Sequence, residues 1–354
     1  MQYRSLGRSG ITVSSVCLGT MTFGEQTGEQ ESHRVMDVAR AGGVTFFDVA
    51  EVYPVPQRAE TYGDSERHVG RWLKARGGRD KLVLATKVVG RSSGRLPYVR
   101  GGATRLDRRH ITEAVEGSLK RLQTDYIDLY QTHFPERQTN TFEKLGYRHA
   151  PKDDPIPLEE TLEVLADLRK SGKIRAFGAS NETPWGLMTL LRRAEENPAL
   201  PRCAAVQNPY NLMSRGYDVG MAEASIREDC PLMAYSPLCF GLLTGKYLEA
   251  DGGPAEARLN AYPKNPPWLR YRWPRAQAGS RAYVELARKH GLSPTGMALA
   301  YTMTRPFVAS TIVGARTSEQ LQENLALADS IRLSPEVLEG IEAIHAENPN
   351  PVLR

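Results

Sequence analysis

Four polar residues stand at the ends of apolar runs in this chain. The stretch Val44-Thr-Phe-Phe-Asp-Val-Ala-Glu-Val-Tyr53 carries Asp48 and, five residues on, Tyr53. Leu82–Val88 carries Lys87, and Tyr126–Thr132 runs into His133. Each alone has a plain explanation: a helix cap, a packed rim ring, a surface cation, a satisfied core histidine. Lysine and aspartate are rarely buried unpaired, however, and here both end apolar runs. Brought together, the four have a joint chemistry. A free phenol has a pKa of about 10 and is a poor acid at neutral pH. A neighbouring ammonium favours the phenolate, which lowers that pKa and strengthens the acid. Aspartate would keep the ammonium charged and fixed, and histidine would donate to a substrate oxygen. That set suits reduction of a carbonyl, whose developing alkoxide needs a proton and whose hydride must come from a cofactor.

The elements that must position these residues alternate. Strands are predicted at Val16–Thr20, Val44–Val49, Leu82–Val88, Tyr126–Thr132, Ile174–Ser180, Ala204–Asn208, Leu232–Ser236 and Ser310–Gly314. Residues 1–12 form a small hairpin with Ser9-Gly10 at its turn. Helical periodicity falls between the strands, at Glu29–Ala41, Ser65–Ala75, Ile111–Leu122, Leu158–Ser171, Trp185–Ala194, Gly220–Glu228 and Arg281–His290. Three further helices cover Pro294–Met303, Ser318–Ala328 and Pro335–His345. Strand–helix alternation implies parallel pairing with right-handed crossovers. At 354 residues a closed (β/α)8 TIM barrel fits best, as a single domain over 1–354, with an open doubly wound sheet as the alternative. The long connections Val89–Arg109, Phe134–Pro157 and Leu238–Gly279 all follow strands, so all three rise over the C-terminal face, where barrel sites are built.

Composition excludes several classes. Apolar residues make up 40% and charged residues 25%, as in a globular protein. Net charge is +5, spread without a basic block, which argues against nucleic acid. A mildly basic pocket for an anionic cofactor is the more economical reading. No apolar run approaches a membrane span, and the N-terminus lacks a signal-peptide core. Cys17, Cys203, Cys230 and Cys239 form no CxxC pair and suit reduced thiols in the cytoplasm. The seven histidines show no metal-ligand spacing, and no GxGxxG follows the first strand. A nicotinamide cofactor would therefore not be held in the Rossmann manner.

In that order and on those strands, Asp48, Tyr53, Lys87 and His133 resemble the tetrad of the aldo-keto reductases. Leu18-Gly-Thr-Met21, the run Leu119–Tyr130, Gly178-Ala-Ser-Asn181, Gln207-Asn-Pro-Tyr210, Tyr235-Ser-Pro-Leu238, Gly241-Leu-Leu-Thr-Gly-Lys246 and Ile312–Asn324 agree with it. The likeness covers residues 1–345. It is strongest to the family's bacterial Tas-type branch and extends to potassium-channel β-subunits. It implies NADPH-dependent reduction of aldehydes or ketones, with Tyr53 as proton donor, Lys87 and Asp48 tuning it, and His133 on the carbonyl oxygen. Gly19, Thr20 and Met21 would flank the cofactor. Ser180, Asn181 and Gln207 would hold its carboxamide, and Tyr235 would stack on the nicotinamide. Ser236, Pro237, Leu238, Gly241 and Lys246 would embrace the pyrophosphate. Gly314, Arg316, Gln320, Glu323 and Asn324 would take the adenosine and its 2′-phosphate. A helix starting at Thr317 or Ser318 beside Arg316 is independently a good phosphate site, which favours NADPH over NADH.

Some assignments stay open. Many family members run directly from the tyrosine into Gly-x-Ser-Glu; here Pro54–Thr61 intervenes, which makes Tyr62 a rival donor. Tyr53 is preferred because it keeps the five-residue step from Asp48. Phe23 and Phe134, with Trp268 and Trp273, are candidates for the substrate wall, though packing explains them equally well. Arg91, Arg95, Arg100, Arg105, Arg108 and Arg109 either meet an anionic substrate or form a solvated loop face. The rival function is an NADPH-carrying regulatory or sensing subunit. The substrate and any homo-oligomeric state are not legible.

Overall fold

The computed structural model describes residues 1–142 and 144–353. A two-stranded hairpin, β1 (Tyr3–Ser5) with β2 (Thr12–Ser14), precedes the barrel. The barrel strands are β3 (Val16–Gly19), β4 (Phe46–Asp48), β5 (Val83–Val88), β6 (Ile127–Thr132), β7 (Ile174–Ser180), β8 (Cys203–Pro209), β9 (Leu232–Tyr235) and β10 (Val308–Gly314). They pair in parallel, each with the next, and β10 closes on β3. The fold is thus the (β/α)8 TIM barrel with an N-terminal hairpin. The helices are α1 (Glu29–Ala41), α2 (Asp64–Arg76), α3 (Arg108–Leu122), α4 (Leu158–Lys170), α5 (Pro184–Glu196), α6 (Gly216–Gly220), α7 (Ala222–Arg227), α8 (Arg258–Ala261), α9 (Pro274–Lys289), α10 (Pro294–Met303), α11 (Ser318–Ser330) and α12 (Pro335–Glu347). Among the described residues no helix is long and apolar enough to cross a membrane.

The two-residue period of a strand decides where each side chain faces. Cys17, Phe46 and Val83 are register neighbours and belong to an inner apolar cluster with Leu129, Met233 and Ile312. One step along, Leu18, Phe47 and Leu84 belong to the outer layer under the helices. Ala85, Ala176 and Ala205 keep the interior narrow, and Leu6, Ile11 and Val13 of the hairpin plug its N-terminal end. The inner phase continues to the strand ends. It carries Asp48, Lys87, Gln131, His133, Gln207 and Tyr235 to the C-terminal mouth. There, apolar filler gives way to polar groups.

Several helices differ from expectation: α3 starts at Arg108, three residues before the predicted Ile111, and the short α8 lies within the connection expected to be loop. The single helix expected at Gly220–Glu228 is two short ones, α6 and α7, with buried Met221 between them. α9 starts at Pro274, seven residues before the predicted Arg281, because Pro274 is a helix-starting N1 proline rather than part of a loop. One close crossing yields a prediction. A Cβ on Gly70 of α2 would lie 2.2 Å from the Arg121 carbonyl oxygen and 2.8 Å from the Leu122 carbonyl carbon, both backbone atoms of α3. Gly70→Ala should therefore cost about 1–3 kcal/mol by overpacking. Urea unfolding checks it; an unshifted midpoint would mean that the helices part freely.

Candidate functional site

β4 and β5 are neighbours, so their inward polar ends meet. Lys87 Nζ donates to Asp48 Oδ2 at 2.7 Å and to the Val49 carbonyl oxygen at 2.8 Å. It also lies 3.4 Å from the Tyr53 hydroxyl and 4.8 Å from the centre of its ring. Lys87 is fully buried, and Asp48 is 2% exposed. The second Asp48 oxygen accepts from Gln207 Nε2 at 2.8 Å and Gln131 Nε2 at 3.3 Å. Charge and hydrogen bonding together meet the desolvation cost of this pair. His133 sets its ring edge-on to Tyr53, with centroids 5.7 Å apart at 79°.

The electrostatics depart from expectation in one respect. Burial pushes the Tyr53 phenol above its ordinary value, against the downward pull of Lys87. The expected lowering is therefore outweighed by desolvation, which penalises the phenolate. Burial also depresses Lys87, but Asp48 and Tyr53 more than offset it, and its pKa lies above the ordinary value. Burial, helped by Lys87, holds His133 well below the usual histidine range, so the ring is neutral at physiological pH. Its Nδ1 is buried with no hydrogen-bond partner among the described residues.

Tyr62, the rival phenol, does not line this cavity. Its hydroxyl donates to Glu51 Oε2 at 3.2 Å, and its ring meets Tyr98 edge-on. Glu51 is itself fully buried, held by the Val89 N–H at 2.6 Å and by Arg100 at 2.5 and 2.9 Å. That cluster ties the loop after β4 to the loop after β5. The insertion after Tyr53 contributes Val55, Pro56 and Gln57 to the cavity wall.

A cavity of about 930 Å³ opens above Tyr53. Asp48, Tyr53 and His133 line it, while Lys87 lies behind them. So do Gly19 at the end of β3, Thr20 and Met21 after it, and Ser180, Asn181 and Gln207 at the ends of β7 and β8. Tyr235 ends β9 and Ser236, Pro237, Leu238, Gly241 and Lys246 follow it; Gly314 ends β10, and Arg316, Gln320, Glu323 and Asn324 follow. All the segments expected to surround a dinucleotide thus face one space. Phe134 and Trp268 line it as well, whereas Trp273 does not. Phe23 does not either; it is fully buried in the outer apolar layer because the turn after β3 folds it under the loop.

Local bonding refines several of these residues. The Tyr235 hydroxyl donates to Asn181 Oδ1 at 2.8 Å, which fixes the ring against the β7 end. Asn181, held at φ +53°, donates to the His133 carbonyl oxygen at 2.9 Å. Gly241 lies at φ +91°, and a Cβ there would strike Lys246 Cε at 2.6 Å, so the glycine lets the lysine cross it.

Lys246, Arg258 and Arg316 converge along the same cavity, with Arg258 near enough for its charge to be felt at Tyr53 as well. Burial lowers the Lys246 pKa, and the charges of Arg258 and Arg316 lower it further. Arg258 lies 5.0 Å from the centre of the Phe240 ring and has no carboxylate partner among the described residues. Arg316 reaches Glu256 at 3.4 Å. Crowded cations of this kind call for an anion. Sequence reasoning missed Arg258, which has no motif around it and arrives from a short helix inside a long loop. It also expected the start of α11 to be open to phosphate. Thr317 caps that helix through the Gln320 N–H, and Glu31 of α1 accepts from the Ser318 N–H at 2.6 Å. A carboxylate already answers the helix dipole there, which leaves the side-chain cations as the anion site. Among the described residues no group of His, Cys, Asp and Glu could hold a metal ion.

Comparison with known proteins agrees with this geometry. The model of the aldo/keto reductase family matches residues 15–346. Protein tas of Escherichia coli is 47% identical over 345 residues, covering 98% of each chain. An uncharacterized oxidoreductase of Bacillus subtilis, YrpG, is 34% identical over 96% of this chain and 94% of its own. A probable voltage-gated potassium channel subunit beta of Oryza sativa is 31% identical over 99% and 98%.

Proposed function

Because this chain belongs to the aldo/keto reductase family, an oxidoreductase family, we propose that it reduces aldehydes or ketones to alcohols with NADPH. The observation that carries this reading is the Lys87 ammonium, shared between Asp48 at 2.7 Å and the Tyr53 hydroxyl at 3.4 Å under a large cavity.

The residues present fit a nicotinamide dinucleotide. One end of the cavity has the anchored ring of Tyr235, with Ser180, Asn181 and Gln207 beside it. Away from them, Lys246 and Arg316, with Arg258 reaching between them and Tyr53, suit phosphate groups. Tyr235 would support the nicotinamide face, and Gln320, Glu323 and Asn324 would border the adenosine. The cofactor, when bound, supplies the hydride.

The chain's own groups supply the rest. Tyr53 stays a phenol at neutral pH, because burial raises its pKa, and so holds a proton at its hydroxyl oxygen. Lys87 stabilises the phenolate left when that proton goes to the substrate oxygen. Asp48 keeps Lys87 charged and in place. His133 is neutral and has one N–H to offer. With Nδ1 buried and unpartnered, the proton belongs on Nε2, where a carbonyl oxygen would accept it.

Fluorescence titration with NADPH, followed by single-turnover oxidation of the bound cofactor with a panel of aldehydes, tests the proposal. Oxidation at catalytic rates supports it. Binding with no oxidation by any aldehyde or ketone favours the sensing role, which the channel-subunit relative makes the second reading. Arg316→Ala should weaken NADPH by roughly tenfold or more and NADH far less, as expected for a lost guanidinium–phosphate pair. Equal weakening of the two would sink the 2′-phosphate assignment.

A further inference from the structure

The loop between β5 and α3 carries four arginines, two more open α3, and the pairing of the six sorts them. Arg91 binds Asp153 at 2.6 Å and Asp154 at 2.5 Å. Arg100 clamps buried Glu51 at 2.5 Å, and Arg105 pairs with buried Glu136. Arg108 pairs with Asp167 at 2.7 Å, and Arg109 with Glu113 at 3.3 Å. Arg95 has no carboxylate partner among the described residues; its Nε donates to the Ser92 carbonyl oxygen at 3.1 Å. Of the six, Arg95 alone lines the cavity. Arg91, Arg100 and Arg105 dock the loop, Arg108 and Arg109 pair on α3, and Arg95 faces the space where substrate would lie.

The loop is preformed. The Gly94 N–H donates to the Gly102 carbonyl oxygen at 3.0 Å, and Leu96 and Gly102 form a bridge between its two arms. The Arg100–Glu51 pair fastens it beneath, two residues from Tyr53. Leu96, next to Arg95, packs in one apolar cluster with Tyr53, with Phe134 and Tyr98 against it. Phe134 in turn meets the ring of Phe142 at 5.7 Å. Arg95 is thus a cation at the lip of an apolar and aromatic wall, on the Tyr53 side. Lys246 and Arg316 belong to the end assigned to the cofactor, while the charge of Arg258 is felt at both Lys246 and Tyr53.

We propose that Arg95 is a specificity residue, and that the substrate is an aldehyde or ketone with an apolar body and a carboxylate set away from the carbonyl. This rests on the carbonyl-reductase reading. A guanidinium matches a carboxylate with two parallel hydrogen bonds. Arg95 is itself exposed, so the pair would be a partly solvated one at the rim, where a single carboxylate matches its single charge. In the reaction the carbonyl carbon gains a hydride from NADPH and the oxygen gains a proton from Tyr53, while the carboxylate is unchanged.

The test uses 4-carboxybenzaldehyde and its methyl ester, which differ in the charge remote from the aldehyde. NADPH oxidation is followed with wild type, Arg95→Met and Arg95→Lys. Wild type is expected to favour the acid over the ester by about tenfold in kcat/KM, chiefly through KM, the size of one partly solvated charged pair. Arg95→Met should bring that ratio near one, and Arg95→Lys should retain part of it. An unchanged ratio in Arg95→Met overturns the inference. So does a ratio lost equally in Arg95→Lys, which would assign the effect to packing. Turnover of neither aldehyde by wild type overturns the inference alone; only failure across the whole panel of aldehydes and ketones overturns the carbonyl-reductase reading.

Discussion

Tyr53→Phe is expected to cut kcat for aldehyde reduction by about 10²- to 10⁴-fold, the range for a lost general acid. NADPH affinity should stay nearly unchanged. Phenylalanine keeps the ring that meets His133 edge-on and lies over Lys87, so the cavity wall survives. What goes is the hydroxyl 3.4 Å from Lys87 Nζ. Steady-state kinetics with fluorescence titration of cofactor separates the two effects. Tyr62→Phe is the control. Its hydroxyl serves buried Glu51, so the expected result is a loss of stability of about 1 kcal/mol with kcat nearly unchanged. If the two variants exchanged their effects, the donor would be Tyr62.

Lys87→Met should produce the second large effect, on stability and activity together. Lys87 is fully buried, and its partner Asp48 is 2% exposed. Removing one member leaves a buried carboxylate with only the amides of Gln207 and Gln131 against it. Breaking a buried pair in this way costs roughly 3–5 kcal/mol. The activity loss should approach that of Tyr53→Phe, because no cation then stabilises the phenolate. Pairing Lys87→Met with Asp48→Leu should cost less than the sum of the two single changes, since no lone charge remains. Denaturant unfolding measures this cycle. Additive losses would mean that the two residues act independently, contrary to their 2.7 Å contact.

Part of the site could be read directly because strands are periodic. Asp48 follows Phe46 in phase, Lys87 follows Val83 and Ala85, and His133 follows Leu129. Anyone who places the strands has placed these ends in one mouth. The same holds for Gly19–Met21, Ser180–Asn181, Gln207, Tyr235 and Gly314, which lie at or just past strand termini. Phe23 failed for a related reason: it lies beyond a strand end in a turn, where period two gives no direction.

By itself, the sequence determined the order of strands and helices, the parallel barrel that this order implies, and the strand-end phase that gathers Asp48, Lys87 and His133. These are local properties, fixed by apolar spacing and by glycine and proline. Tertiary structure alone decided which tyrosine stands beside Lys87, and that burial outweighs the ammonium in raising the Tyr53 pKa. It also decided that Glu31 occupies the start of α11, and that Arg258 joins Lys246 and Arg316. Among the four arginines of the β5–α3 loop it left Arg95 facing the cavity without a carboxylate. Each of these depends on partners distant in sequence and on how much water the closed barrel excludes. Neither is written in the spacing of residues along the chain.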